Sequence, residues 1–356
     1  MPAQDPPIGM IRTVCGDRPA ADFAAVMVHE HLLYDITPPG AVPDDTQITP
    51  QNRWQIDYLS NQTPANARQQ DVGIAASELT AFCADGGDLI VDQSVGGLAR
   101  DPTGLQAASL ASGCAVVAAA GTYTAAYLDP ETQAADTDTL AARFTAEITT
   151  GLDGTTVRAG LIGEIGCSWP LQPCESRALI AAAMAAQRTG AGISVHPGRD
   201  PRAPFEIVDI LGQAGADLTR VAICHMDRTY PEPDETGPMA LARLGVMVEW
   251  DFFGIESSYY WMDPDVELPT DRGRLRAFRA LIDAGLRDRI LVSHDICTRT
   301  RARHWGGHGY GHVLRNIVPL MRRMGFAPGD IAHLIRLNPL RLLAMPQAAT
   351  HPEFPR

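Results

Sequence analysis

The chain has 356 residues, 45% of them hydrophobic and 20% charged, and its formal net charge is −13. The length suits a single α/β barrel with a sizeable core. The acidic charge argues against a nucleic-acid partner, which needs a basic surface. No apolar run reaches the ~18 residues of a membrane span. For an acidic protein of this size, a small-molecule substrate is the expected partner.

Eight strand-like runs recur along the chain, each apolar and rich in β-branched residues. They are residues 24–31, 88–94, 115–123, 159–166, 192–198, 220–227, 245–254 and 288–295. Such runs are typical of a parallel sheet covered by helices. Helical segments between them, such as 77–84, 176–189 and 272–284, end near glycines. The alternation predicts an α/β fold, a (β/α)8 TIM barrel. An open doubly wound sheet is the alternative, but no G-x-G-x-x-G follows the first run.

The whole chain, 1–356, is predicted to form one domain with a barrel core of about 22–345. Residues 36–64 and 255–270 look like loops inserted after the first and seventh strands. Both lie where barrel active sites are built, so we expect them to form part of the pocket wall. The chain after about Pro346 is expected to pack poorly.

The N-terminal segment and the cysteines indicate the compartment. The first ten residues lack the basic and apolar regions of a signal peptide, which predicts a cytoplasmic protein. The seven cysteines are odd in number and include no C-x-x-C pair. We therefore expect reduced cysteines and no zinc ribbon.

Side chains that ligate metals stand at the carboxyl ends of five runs. They are His29, His31, Glu164, His196, His225 and Asp295. His29 and His31 are spaced by two, so both point to one face of a strand and Glu30 points to the other. A carboxylate such as Glu164 can bridge two cations. The pattern predicts that His29, His31 and Asp295 hold one ion, and that His196 and His225 hold the other.

Five further residues near the predicted barrel mouth are substrate-binding candidates. Arg228, Arg299 and Arg301 follow metal-ligand positions, and arginine suits carboxylates, sulfonates and phosphates; surface pairing with acids is the alternative for each. Tyr123 ends the third run and Asp251 lies in the seventh. Either of these two can contact substrate or orient a ligand histidine.

Three more histidines are not expected to bind metal. His294 should face the helices, because Ser293 and Asp295 share the opposite face of the strand. His308 and His312 lie in a glycine-rich loop, residues 306–312, that can cover the site.

These motifs resemble the phosphotriesterase-like family of the amidohydrolase superfamily, specifically its phosphotriesterase-related branch. The similar stretches are GMIRTVCG (9–16), VHEHLLYD (28–35), GGLARDP (96–102), GEIG (163–166), HPGRD (196–200), CHMDRT (224–229), EWDFFG (249–254), SHDICTRTR (293–301), GGHGYGH (306–312) and LNPLRLL (337–343). The resemblance implies the same metal ligands, an acid/base role for Asp295 and a homodimer. Phosphotriesterases proper and lactonases carry a carbamylated lysine at the position of Glu164. The phosphotriesterase-related branch carries glutamate there, as this chain does.

The ligand set and the resemblance predict a binuclear metal-dependent hydrolase of a carboxylic ester, lactone or amide. Its nucleophile would be a hydroxide bridging two divalent cations, which lower the pKa of water. We expect two Zn²⁺, with Mn²⁺, Co²⁺ and Fe²⁺ as alternatives. The resemblance favours a small anionic N-acyl compound, such as an N-acyl amino acid or N-acyl taurine. Organophosphate tri- or diester hydrolysis, proton-transfer isomerisation and a non-catalytic binding barrel stay open as alternatives.

Overall fold

Eight parallel strands form one sheet in a computed structural model that describes residues 9–59, 63–231, 235–257 and 260–345. The strands are β1 Val26–Glu30, β2 Leu89–Asp92, β3 Ala115–Ala120, β4 Leu161–Gly166, β5 Ile193–His196, β6 Val221–Ile223, β7 Met247–Trp250 and β8 Ile290–Val292. Each predicted run contains one strand, and their order in the sheet follows the chain. The predicted tail after about Pro346 lies outside the described residues.

The first and last strands meet, so the sheet curls into a barrel. The backbone N–H of Asp295 donates to the carbonyl of His29 at 3.0 Å, and the backbone N–H of His29 donates to Oγ of Ser293 at 3.0 Å. The predicted TIM-barrel fold is confirmed.

Helices follow the strands around the barrel. They are α1 Arg53–Leu59, α2 Val72–Ala84, α3 Pro102–Ser112, α4 Pro130–Ala134, α5 Thr137–Thr149, α6 Pro173–Thr189, α7 Ala203–Gln213, α8 Met226–Thr229, α9 Thr236–Arg243, α10 Asp271–Asp283, α11 Val318–Arg323, α12 Pro328–Ala332 and α13 Asn338–Leu343. Aspartates cap several of them; the Asp71 carboxylate, for example, accepts from the backbone N–H of Ile74 at the start of α2. Within the described part of the chain, no helix is both long and apolar enough to cross a bilayer.

The two predicted insertions differ from each other in secondary structure. The first, 36–64, was predicted as an inserted loop; its described residues, 36–59 and 63–64, include α1. The polar composition of the segment gave no sign of this short helix, which buries Ile56. The described part of the second, residues 255–257 and 260–270, forms no helix or regular strand, and residues 260–263 line the cavity described below.

Short segments close the end of the barrel opposite the active-site mouth. An antiparallel hairpin pairs Met10–Thr13 with Gly16–Pro19. The side chains of Ile11, Phe23 and Leu340 join the inner apolar cluster formed by alternate residues of the strands. This buried floor leaves the carboxyl ends of the strands as the open face.

Candidate metal centre

Six predicted ligands converge at the carboxyl ends of five strands. His29 Nε2 lies 3.6 Å from Glu164 Oε2 and 3.9 Å from Asp295 Oδ1, while His31 Nε2 lies 3.3 Å from Asp295 Oδ1. His196 Nδ1 and His225 Nε2 approach each other at 2.8 Å. The structure therefore brings together side chains that stand far apart in the sequence.

The two oxygens of Glu164 face different histidines. Oε1 lies 3.5 Å from His31 Nε2, whereas Oε2 lies 3.0 Å from His196 Nδ1 and 3.4 Å from His225 Nε2. A carboxylate placed between two groups of imidazoles has the geometry of a bridging ligand. This arrangement fits the two-ion centre predicted from the sequence.

The strand pairing is irregular near two of the candidate ligands, His29 in β1 and Glu164 in β4. The register between β1 and β2 shifts between Met27 and Glu30, and that between β4 and β5 shifts between Ile162 and Ile165. Such bulges redirect side chains beside active sites. In β4, Gly163 has φ of +111° and a Cβ there would lie 1.9 Å from the carbonyl oxygen of Ser194, so only glycine fits before Glu164.

His29 shows that the cluster suits a cation. The side chain is fully buried; its Nδ1 lies 3.3 Å from Asp251 Oδ2, whereas its Nε2, which faces Glu164 and Asp295, has no hydrogen-bond partner among the described residues. A buried imidazole nitrogen without a partner is costly unless something else binds it. His29 forms one compact group with His31 and Asp295 and another with Glu164 and His225, with all ligand atoms in each group within 4.8 Å. The residues therefore fit divalent metal ions.

The electrostatics of the cluster also favour positive charge. Burial lowers the pKa of His196, and the adjacent His225 lowers it further, to about 3. Burial also lowers the pKa of His225, but the carboxylate of Asp251 outweighs this and raises it to about 9. Burial raises the pKa of Glu164, yet the surrounding histidines, His29 first, hold it well below its usual value. The carboxylate thus stays ionised and attracts a cation.

Asp251 contacts His225, one of the predicted ligands, and is fully buried. Its Oδ1 lies 2.9 Å from His225 Nδ1, and its Oδ2 accepts from the backbone N–H of His225 at 3.0 Å. Of the two roles weighed for Asp251, the contacts match orientation of the histidine and not contact with substrate. His225 itself adopts a left-handed conformation, with φ of 59°, that this carboxylate stabilises.

Glu30 and His294 form a separate buried pair behind the cluster. Glu30 Oε1 lies 2.6 Å from His294 Nδ1, and His294 Nε2 accepts from the backbone N–H of Val313. Glu30 also accepts from the hydroxyl of Ser293. Glu30 points away from His29 and His31, as predicted, and His294 is buried and hydrogen-bonded behind the cluster, as its predicted orientation requires.

A cavity of about 490 Å³ opens onto the cluster of candidate metal ligands. His196, His225 and Asp295 contribute to its floor, and Tyr123 stands beside them with its hydroxyl 3.4 Å from His196 Nδ1. Aromatic side chains form much of the wall. They are Tyr123, Tyr127, Trp169, Phe252, Tyr260 and Trp261. The cavity suits a small molecule with an apolar part.

The three candidate arginines have different surroundings. Arg228 lines this cavity, whereas Arg299 and Arg301 are not among the described residues that line it. Arg299 lies over the ring of Trp305. Arg301 donates to the carbonyls of His294 and Asp295 and lines a second cavity. Substrate contact in the main cavity therefore has geometric support only for Arg228.

His308 and His312, the two histidines of the glycine-rich loop 306–312, lie apart from the metal cluster. His312 Nε2 lies 2.7 Å from Asp271 Oδ2, and His308 lines the second cavity. Neither belongs to the described lining of the main cavity, so the expectation that they cover the site has no geometric support.

Several residues of the site were missed from the sequence. Glu249 lies 3.8 Å from His29 and accepts from Cys224, and Ser94 holds His31 Nδ1 at 3.0 Å. Glu249 precedes Asp251 by two, so strand alternation contained a signal for it. Nothing local marks Ser94, whose contact depends on how β1 and β2 pack.

All seven cysteines are free, as predicted.

Comparisons with known proteins agree with the resemblance seen in the sequence. Residues 9–343 match the Phosphotriesterase family. The chain is 36% identical to an N-acetyltaurine hydrolase of Homo sapiens over 344 residues, which cover 94% of this chain and 98% of that protein. It is 35% identical to a phosphotriesterase-related protein of Nematostella vectensis, covering 93% and 97%. A crystal structure of a resiniferatoxin-binding protein from Rhodobacter sphaeroides superposes with a TM-score of 0.88 at 32% identity, covering 94% of this chain and 95% of that one.

Proposed function

The chain belongs to the phosphotriesterase family of metal-dependent hydrolases, and we propose that it cleaves the amide bond of a small anionic N-acyl compound. N-acyl taurines and N-acyl amino acids are the substrate classes. The relatives named N-acetyltaurine hydrolase support this choice, since they match nearly the full length of the chain. We further propose that His29, His31, Glu164, His196, His225 and Asp295 hold two divalent ions, and that these are zinc.

The observation that carries this proposal is the position of Arg228. Its side chain is only 4% exposed, yet it lines the main cavity beside the metal cluster. Nη2 donates to the carbonyl of Pro197 at 2.8 Å and lies 3.2 Å from His196 Nε2. Nη1 is buried and has no partner among the described residues. A buried guanidinium with a free donor is best stabilised by an anion, here the sulfonate or carboxylate of the substrate.

The rest of the cavity suits the acyl part of the substrate. Aromatic rings such as Phe252 and Trp261 offer apolar surface, and Tyr123 places a hydroxyl next to the floor. The volume of about 490 Å³ exceeds what an acetyl group needs. We therefore expect longer acyl chains to be accepted as well.

The reaction would use Asp295 as the acid/base group. When bound, the two cations would lower the pKa of a water molecule toward about 7 and polarise the substrate carbonyl. Asp295 is the carboxylate of the cluster that lines the cavity, whereas Glu164 lies deeper and is 2% exposed. Asp295 accepts the proton of the attacking water as the C–O bond forms. It then returns this proton to the nitrogen as the C–N bond breaks.

Paired substrates test the role assigned to Arg228. Hydrolysis of N-acetyltaurine should be compared with that of an uncharged amide of the same length in the parent chain and in Arg228→Met. We expect KM for N-acetyltaurine to rise roughly 10- to 100-fold, the size of a lost charged hydrogen bond, while the poor rate on the uncharged amide stays the same. Arg188→Met, at an exposed position on α6, is the matched control.

Three outcomes would contradict the proposal. Equal rates on the charged and uncharged amides in the parent chain would show that no anion is recognised. Faster turnover of a phosphotriester or a lactone than of every N-acyl compound would favour the organophosphate or lactone alternative. Saturable binding without turnover, by protein shown to hold two ions, would favour a binding barrel.

A further inference from the structure

A second cavity, of about 270 Å³, lies between α1 and the segments that follow β7 and β8. Its lining includes Arg53, Asp57, Glu256, Arg301 and His308. Trp261 lines both this cavity and the main one, so a single side chain belongs to the wall of each. The volume is slightly below the ~300 Å³ at which small-molecule pockets usually begin, so a ligand must be small.

Two arginines that line this cavity each have a buried nitrogen donor without a partner among the described residues. Arg301 is 7% exposed and directs Nη1 and Nη2 to the carbonyls of Asp295 and His294, which leaves Nε–H without an acceptor in the described chain. Arg53 donates from Nη2 to the carbonyl of Thr300 at 2.7 Å, and its Nε–H is likewise buried without a described acceptor. Buried donors of this kind are costly unless an acceptor fills the space. An acid group is the natural occupant.

The remaining polar lining carries the opposite charge. Asp57 is half-buried and Glu256 is exposed, so the carboxylates lie nearer to solvent than Arg301 does. His308 donates from Nδ1 to the carbonyl of Gly309 at 3.0 Å, so its buried Nε2 is an acceptor and not one of the donors. Donors at the buried part and carboxylates nearer the surface match a ligand with an acid at one end and an ammonium at the other.

We propose that this second cavity binds a small zwitterion, an aminosulfonate or an amino acid. This inference rests on the proposed function, because hydrolysis of an N-acyl taurine or N-acyl amino acid releases such a zwitterion. The acid group lies against Arg301 and Arg53, and the ammonium lies toward Asp57 and Glu256. The product amine thus has a site of its own, next to the main cavity and separate from the metal cluster.

Titration of taurine into the metal-loaded chain by calorimetry tests this site. Arg53→Met and Asp57→Asn should each weaken binding at the second site at least tenfold, while competitive inhibition of hydrolysis by taurine is retained. Arg228→Met should have the reverse effect, because it alters only the main cavity. Arg188→Met is the matched control and should alter neither. Ethanesulfonate, which lacks the ammonium, should bind more weakly and be insensitive to Asp57→Asn.

The result that overturns the inference is taurine binding unchanged within twofold in both Arg53→Met and Asp57→Asn. Asp57 is half-buried, so Asp57→Asn keeps the test valid if Arg53→Met fails to fold. Failure of the proposed function is separable from this result. A chain that hydrolyses no N-acyl compound, but whose taurine binding depends on Arg53 and Asp57, would contradict the proposed function and support the second site.

Discussion

Replacing Asp251 by Asn should weaken metal binding at the site of His225. The carboxylate accepts from both His225 Nδ1 (2.9 Å) and the backbone N–H of His225 (3.0 Å), and it is fully buried. Asparagine keeps the shape, but its one oxygen can serve one donor, and its NH2 group must face the other. A hydrogen bond to a charged group contributes about 1.5–3 kcal/mol. At 1.4 kcal/mol per tenfold, the affinity falls by roughly 10- to 150-fold.

Competition with a chromophoric chelator would measure the zinc affinity of Asp251→Asn against the parent chain. Asp265→Asn is the control, because Asp265 is exposed and lies apart from the cluster. Kinetics at saturating zinc would then separate weaker metal binding from slower chemistry. A folded Asp251→Asn chain with zinc affinity within threefold of the parent would refute the view that this carboxylate orients His225.

Three further substitutions address the proposed acid/base residue, the buried Glu30–His294 pair and the strand glycine before Glu164, the proposed bridging ligand. Asp295→Asn should lower kcat by about 10²- to 10⁴-fold at saturating metal without changing the melting temperature; near-normal turnover would exclude the assigned role. Glu30→Gln leaves one oxygen where two accept, so the amide NH2 must face either His294 Nδ1 or the backbone N–H of Ile296, and the free energy of unfolding in urea should fall by about 3 kcal/mol; a loss below ~1 kcal/mol would contradict it. Gly163→Ala places a Cβ against the carbonyl of Ser194 and should cost about 3 kcal/mol while reducing metal content. A Gly163→Ala chain that melts and binds zinc like the parent would show that the backbone relaxes there.

The barrel and the convergence of the candidate ligands could be predicted because both leave local signals. His196, His225 and Asp295 end apolar runs. Their place at the mouth of the barrel follows, because the carboxyl ends of parallel strands meet at one face of a barrel. Strand alternation correctly separated Glu30 from His31. These inferences needed no knowledge of distant contacts.

Other features depend on packing between distant segments and leave no local signal. Alternation alone does not reveal the register shift between Met27 and Glu30 in β1. Arg301 follows a metal-ligand position like the other candidate arginines, yet it turns back to the carbonyls of the chain around Asp295. Only the folded arrangement of the loops distinguishes it from Arg228, which lines the main cavity.

The central claim is tested most directly by measuring hydrolysis of N-acetyltaurine by the zinc-loaded chain. Release of acetate would report the reaction, and the bound metal would be measured in the same sample. The account predicts turnover that requires about two zinc ions per chain, disappears on chelation, returns on addition of zinc and is nearly lost in Asp295→Asn. Turnover that persists without metal, or none from protein holding two ions across the N-acyl amino acids and N-acyl taurines, would contradict it.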